Sequence, residues 1–401
     1  MTKIGKYGLP LEVKFCRKCV ISNQRPISTV EVKNRGSKKE TIAFNKEGVC
    51  DACRFAEYKE TKIDWNKRER ELVKLCNKYR SRNGYYDCLV PGSGGKDSSF
   101  TAHILKYKYG MNPLTVTWAP HLYTDIGWQN FTNWSHKGGL DNILFTPNGR
   151  VHRLLTKLAF ENLLHPFQPF MIGQRNIAPK FALLYKIPLI FYGENQAEDG
   201  NRIEDNDSPT MKEEFFAQSS SLDKLFLGGV NAKELIKGKK ISVNDLNPYL
   251  PAPHKEIKKL GAQVHYLGYY LRWDYQECYY YAAKHTGFQA NTERTEGSYS
   301  KYSSIDDKID PFHYYTTLVK FGIGRATYNA AQEIRTRKIT REEGVSLVRR
   351  YDHEFPTKHF KEFLEYIDVS EDKFWKLINK GRSPHLWKKD KDGWKLKHQV
   401  T

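Results

Sequence analysis

Leu72, Val73, Leu75 and Tyr79 are spaced as on one face of a helix, so residues 64–80 are expected to form an amphipathic helix. Asn83-Gly84 then marks a turn, and the short run 86–90 reads as a strand. Beyond it the pattern alternates: helix 96–109, strand 114–118, helix 128–137, strand 142–145 and a helix over 151–164. A helix near 176–185 leads through Pro188 into Leu189-Ile190-Phe191-Tyr192, a buried-strand run that stops at Gly193. Residues 200–260 are polar and irregular and read as a mobile flap or a plain insertion. Strand 263–270 and helix 275–284 resume the series, and helices dominate from Pro311 onward. There, Thr340-Arg341-Glu342-Glu343 has capping-box spacing and Ser370 is a second expected N-cap. Strands alternating with helices of this length predict a parallel sheet covered on both faces, with ligands at the carboxyl ends of its strands.

A length of 401 residues exceeds the usual single domain, so two or three structural units are expected. No apolar stretch approaches a bilayer span, and Met1 to Phe15 lacks the apolar core of a signal peptide, which points to the cytoplasm. A net charge of +19 suits nucleic acid, a membrane surface or a polyanionic small substrate such as a nucleotide sugar. Because lysines run from Lys3 to Lys397, commonly beside acids, the charge reads as a solvated basic surface without a dedicated macromolecular partner. The cysteines sharpen the picture. Cys16-x-x-Cys19 and Cys50-x-x-Cys53 supply four thiolates, and in a reducing compartment such a closed set points to structural Zn²⁺. An iron–sulfur cluster would add redox chemistry that nothing else in the chain requires. Cys76, Cys88 and Cys278 are expected to be core or surface residues rather than nucleophiles.

Pro91-Gly92-Ser93-Gly94-Gly95-Lys96-Asp97-Ser98 sits between a predicted strand and a predicted helix. That setting aims backbone N–H groups and the positive end of a helix dipole at one spot, which suits phosphate. Gly92, Gly94 and Gly95 let the backbone turn and approach an anion, Ser93 and Ser98 offer hydroxyls, Lys96 adds charge, and Asp97 is a candidate Mg²⁺ ligand. The string matches neither Walker A nor G-x-G-x-x-G. It resembles the PP-loop of the ATP pyrophosphatases, which implies an α/β fold with the parallel sheet of that adenine nucleotide α-hydrolase-like type. The resemblance also implies that the loop binds ATP and holds the leaving pyrophosphate while an acceptor oxygen attacks the α-phosphorus, with Lys96, Asp97 and Ser98 catalytic. Gly193-Glu194-Asn195 follows a second buried strand and is expected to face the same crevice. Glu194, Glu198 and Asp199 are candidate Mg²⁺ or ribose contacts there.

Cys16-Arg17-Lys18-Cys19-Val20 with Arg25-Pro26, Gly48 to Cys53, the glycine loop and Tyr192 to Asn195 form an ordered set with a long C-terminal signature. That signature runs through Leu267 to Tyr270, Trp273-Asp274, Thr295 to Tyr302, Asp306-Asp307, Lys320 to Arg325, Glu333 to Arg335 and Ile339 to Glu342. Over nearly the whole chain this resembles the N-acetyl sugar amidotransferases of bacterial surface-polysaccharide and pseudaminic acid pathways, with an insertion at roughly 32–41. The expected division is a four-cysteine zinc-ribbon-like module over 1–57, a PP-loop domain over 58–290 and a mainly helical substrate or partner region over 291–401.

The resemblance implies that ATP adenylates the amide oxygen of an N-acetyl sugar and that ammonia replaces it, giving an acetamidino group. Lys301, Lys320, Arg325 and Arg335 are candidates for gripping the acidic sugar or its diphosphate. The aromatic run from Tyr269 to Tyr281 fits core packing better than base stacking, and His121, His265, His285 and His313 have no assigned role. The chain has no Gly-x-Cys-x-Gly elbow and carries Thr2 rather than an N-terminal cysteine, so a separate glutaminase subunit is expected to supply ammonia, with a cyclase-like companion. Two rival readings remain: a tRNA-thiolating enzyme with the same loop, and a non-catalytic nucleotide-binding subunit.

Overall fold

Five short strands, each apolar enough to be covered on both faces or to edge such a sheet, pair side by side in the computed structural model of the chain. They are β1 (Cys88–Pro91), β2 (Pro113–Trp118), β3 (Asp141–Phe145), β4 (Leu189–Tyr192) and β5 (Gln263–Tyr266). Their order is β3-β2-β1-β4-β5, and every pair is parallel. The structure describes residues 4–28, 31, 38–202, 208–218, 221–239 and 241–401, so much of the expected insertion at 32–41 lies outside the described residues.

The helices positioning the site are α1 (Asp51–Thr61), α2 (Trp65–Tyr79), α3 (Lys96–Tyr107), α4 (Asp125–His136), α5 (Gly149–Leu163), α6 (Gln168–Tyr185), α7 (Tyr275–His285), α8 (Asp310–Phe321), α9 (Arg325–Arg335) and α10 (Arg341–Tyr351). Helix α6 starts at Gln168 rather than near 176. Pro169 lies in its first turn, where no N–H is missed, while Pro179 is carried inside the helix and obscures the pattern. Strand β5 ends at Tyr266, and Leu267–Tyr270 is instead one helical turn. Within 200–260, Phe216, Leu227, Leu235, Leu246 and Tyr249 are buried in the main core, so these described parts pack as an ordered insertion. The expected caps are present. Thr340 and Glu343 form a reciprocal capping box on α10, and the Ser370 hydroxyl accepts from the Lys373 N–H.

Three apolar clusters matter for the site. One lies on each side of the sheet, around Leu114, Ile190 and Phe160 and around Val90, Leu105 and Phe191. The third joins Cys16, Cys19, Cys50 and Cys53 to Ile323, Ala330, Ala331, Val345 and Val348. The cysteine module is therefore packed on α9 and α10. Among the described residues no helix is long and apolar enough to cross a membrane.

Candidate active site

The chain leaves β1 toward β2 and β3, then returns to place β4 on the other side of β1, which creates a crevice beyond the ends of β1 and β4. The turn after β1 enters α3 through Gly95, which has no side chain to cap the first N–H groups. Those donors are left for an anion. Gly94 adopts φ +81°, and a Cβ there would lie 2.8 Å from the Phe131 Cα and 3.0 Å from the Asn130 carbonyl oxygen. Any side chain would push the loop off α4. At Gly95 the nearest atom to an added Cβ is Ser93 Oγ at 3.8 Å, so this face is open for a ligand to reach the backbone.

Ser93, Gly95, Lys96 and Asp97 line a cavity of about 720 Å³, and Glu194 and Asp199 line it from the β4 side. Lys96 Nζ lies 2.5 Å from Asp97 Oδ2, while Asp97 Oδ1 is buried with no partner among the described residues. Burial, with Asp97 and Asp199 nearby, pushes the Glu194 carboxyl up to about 7. An orphan carboxylate oxygen beside mutually repelling acids fits a divalent cation, which uses one or two carboxylates and takes its other oxygens from phosphate and water. Ser98 is turned inward, its hydroxyl donating to the Gly95 carbonyl at 3.1 Å. Gly193 is needed for packing, because a Cβ would sit 2.7 Å from the Trp273 ring, and the Asn195 side chain accepts from the Ala197 N–H at 2.9 Å. Glu198 does not face the cavity: Lys59 Nζ lies 2.5 Å from its Oε1, and both side chains are buried.

The opposite wall comes from the C-terminal region. Residues 305–308 are stitched to the turn after β2, with the Thr124 N–H donating to the Asp306 carbonyl at 3.1 Å and the Lys308 N–H to the Leu122 carbonyl at 2.9 Å. Ser93 and Asp306 line the same cavity, so this wall faces the glycine loop. Asp307 is held by His121, whose Nδ1 lies 2.7 Å from Oδ2. Helix α8 then presents Asp310, His313, Tyr314, Thr317 and Phe321 to the cavity, the spacing of one helical stripe. Burial pushes the Asp310 carboxyl up to about 7, with Arg325 opposing.

The structure separates the four cations expected to bind substrate. Arg325 lines the cavity, its guanidinium carbon 4.3 Å from the centre of the Tyr314 ring. Lys320 is 1% exposed and is committed to Glu31 and to the Leu163 carbonyl, at 2.9 Å from the latter. Lys301 is exposed and donates to the Thr292 carbonyl at 2.9 Å, and Arg335 donates to the Glu198 carbonyl at 3.2 Å. None of these three lines the cavity. Arg25, Arg175, His165, His313 and Asp310 do, although the sequence pattern alone gives them no role in the site. Arg25 stands in the Arg25-Pro26 motif, and the spacing of Asp310, His313, Tyr314 and Thr317 is visible in the sequence, but which face of α8 turns inward is not. Of the aromatic run, Tyr275 reaches the cavity, whereas Tyr270 and Trp273 are core residues.

The ligating sulfur atoms of Cys16, Cys19, Cys50 and Cys53 all lie within 4.8 Å of one another, and the four residues are buried. Cys16 Sγ is 3.9 Å from Cys53 Sγ and Cys19 Sγ is 3.7 Å from Cys50 Sγ. The N–H groups of Lys18, Cys19 and Cys50 point at Cys16 Sγ, each at 3.4 Å. This arrangement is consistent with a metal site. The three remaining cysteines, Cys76, Cys88 and Cys278, are buried in the core, and no cysteine is among the cavity-lining residues.

A parallel sheet with this strand order, and this glycine loop opening a helix at the switch point, define a PP-loop ATP pyrophosphatase type of fold with an N-terminal four-cysteine module. Residues 296–401 match the family model for the C-terminal domain of WbpG-like lipopolysaccharide biosynthesis proteins. The chain thus carries a WbpG-like C-terminal region, in support of the resemblance to the N-acetyl sugar amidotransferases. No curated protein matches the chain. Among solved structures, the NH3-dependent NAD synthetase of Campylobacter jejuni is 13% identical with a TM-score of 0.26, and the match covers 32% of this chain and 56% of the synthetase. The U34-tRNA thiolase NcsA of Methanococcus maripaludis, described with its [4Fe-4S] cluster, is 14% identical over 85% of this chain and 91% of its own, with a TM-score of 0.31. The NMN synthetase of Francisella tularensis is 13% identical over 64% of this chain and 95% of its own, with a TM-score of 0.25.

Proposed function

We propose that the chain is an ATP-dependent amidotransferase that adenylates the N-acetyl oxygen of a nucleotide-activated or acidic sugar and replaces that oxygen with ammonia. The product is an acetamidino sugar for surface-polysaccharide synthesis, with AMP and pyrophosphate released. The observation that carries this reading is the shared cavity: the glycine turn, through Ser93, Gly95, Lys96 and Asp97, and the WbpG-like region, through Asp306, Asp307 and Asp310, line the same space.

An amide is a poor electrophile, so its oxygen must be turned into a leaving group before ammonia can displace it. The open N–H groups of Gly95 and the first turn of α3, with Lys96, stabilise the departing pyrophosphate. Mg²⁺, for which Asp97 and Glu194 are the fitting ligands, supplies further charge on the phosphates. Arg325 and the α8 stripe hold the sugar so that its amide oxygen faces the α-phosphorus. The four-thiolate set we assign to structural Zn²⁺. Zinc–sulfur bonds of about 2.3 Å in a tetrahedron place the sulfurs about 3.8 Å apart, and the Cys19–Cys50 and Cys16–Cys53 pairs lie at 3.7 and 3.9 Å.

The rival thiolation reading requires a sulfur-carrying cysteine or a second metal centre at the loop, and the burial of Cys88 and Cys278 away from the cavity speaks against it. A panel of N-acetylated nucleotide sugars and of tRNA, assayed with ammonium for stimulated release of AMP and pyrophosphate, tests the proposal. Stimulation by a sugar and not by tRNA is expected; the reverse would replace this reading with thiolation.

A further inference from the structure

The cavity has a second acidic wall, formed by Asp306, Asp307 and Asp310. Asp310 is 8% exposed, lines the cavity and makes no ion pair with any described residue. Its cationic neighbour Arg325 instead donates to the Tyr314 hydroxyl. Next to Asp310 on the α8 stripe stands His313, stacked on His165 with ring centres 4.9 Å apart. His165 is 7% exposed, lines the same cavity and keeps Nδ1 without a partner among the described residues, as does His313. Burial holds the His165 imidazole at about 4, so it stays neutral. A buried carboxylate next to unpaired neutral ring nitrogens lacks a ligand that donates several N–H bonds and carries positive charge.

The proposed reaction makes such a group, and the role of this wall rests on that reading. Ammonia's lone pair forms the new carbon–nitrogen bond, and the carbon–oxygen bond breaks with its electrons leaving on AMP. One ammonia proton passes to water, and the amidine stays protonated, so a neutral amide becomes a planar amidinium cation. We propose that Asp310, with Asp306 beside it, receives this cation through two parallel N–H donors, the geometry of an arginine–carboxylate pair. A carboxylate does little for the neutral amide and much for the charge developing at the reacting carbon, so its effect falls on the transition state. Asp310 is then a catalytic residue of the substitution half of the reaction, as Lys96 and Asp97 are of the adenylation half.

Acetamidinium and acetamide, the charged and neutral fragments of product and substrate, test this without knowledge of the sugar. Their affinities for the full chain are compared by NMR titration with AMP and Mg²⁺ present. About tenfold tighter binding of acetamidinium is expected, an effect typical of a charge-assisted bond. Asp310→Asn should reduce the preference to within about twofold, and Asp223→Asn, at an exposed carboxylate outside the cavity, should retain it. Equal affinities in the unaltered chain overturn the inference with no variant needed. So does a preference that survives Asp310→Asn, or one lost in Asp223→Asn instead. A chain that prefers acetamidinium through Asp310 yet responds to no N-acetyl sugar would refute the proposed reaction and leave this site standing.

Discussion

Replacing Lys59 with Met removes the ion pair that ties α1 of the cysteine module to the turn after β4. Lys59 Nζ lies 2.5 Å from Glu198 Oε1 and donates to the Trp273 carbonyl at 3.0 Å, with the two charged side chains 6% and 8% exposed. The variant leaves a carboxylate buried without its cation, a change that typically costs about 3–5 kcal/mol. Glu198 softens the loss by binding a proton. Burial already pushes its carboxyl up, and Lys59 is the main opposing influence. Without Lys59 the folded-state value rises further above the unfolded value of about 4.3, so the folded state keeps a proton that the unfolded state releases. The destabilisation is therefore small near pH 4–5 and grows as pH rises toward the folded-state value. An unfolding entropy of about 2.1 cal/mol/K per residue converts about 3–5 kcal/mol into a fall of roughly 4–6 °C at pH 8 for a cooperative chain of this length. Differential scanning calorimetry at pH 5 and pH 8 reads both effects. Lys59→Met with Glu198→Gln should recover most of the loss, since no charge is then stranded. A Lys59→Met variant melting within about 1 °C of the unaltered chain at pH 8, or a shift independent of pH, would refute the reasoning.

Asp97→Ala should abolish pyrophosphate release with an unchanged circular dichroism spectrum, and normal turnover by that variant would sink the proposed role of the loop. Elemental analysis should give about one zinc per chain, lost in Cys16→Ser or Cys50→Ser along with thermal stability; iron in place of zinc, or a metal-free chain of equal stability, contradicts the assignment. The chain alone should use ammonium and not glutamine as nitrogen donor, gaining glutamine use when its separate glutaminase is added. Efficient glutamine use by the purified chain would mean a hydrolytic site of its own.

Most of the sheet is legible in the sequence as short apolar runs ended by turn signals: the expected strands at 114–118 and 142–145 fall within one residue of β2 and β3, whereas β5 reads too long because no turn residue separates Tyr266 from the helical Leu267–Tyr270. The glycine loop is legible for a similar reason, since Gly94 needs positive φ and tolerates no Cβ. Helix α6 reads short in the sequence because Pro169 and Pro179 interrupt the pattern, though one lies in the first turn and the other is accommodated inside. The far wall of the cavity is harder. Lys320 and Arg325 both neighbour flexible glycines, yet one is committed to Glu31 and the other lines the site, a difference set by tertiary packing of α8 and α9. His165 and His313 are 148 positions apart, and only the fold stacks them.

The central claim is that the amide oxygen of an N-acetyl sugar is transferred to AMP. The most direct measurement uses the sugar that stimulates pyrophosphate release, labelled with ¹⁸O in its acetyl carbonyl, with ATP and ammonium, and mass spectrometry of the AMP formed. The account predicts one ¹⁸O atom per AMP, in step with the acetamidino product. Unlabelled AMP formed alongside that product would contradict it, because the oxygen would then have left by another route.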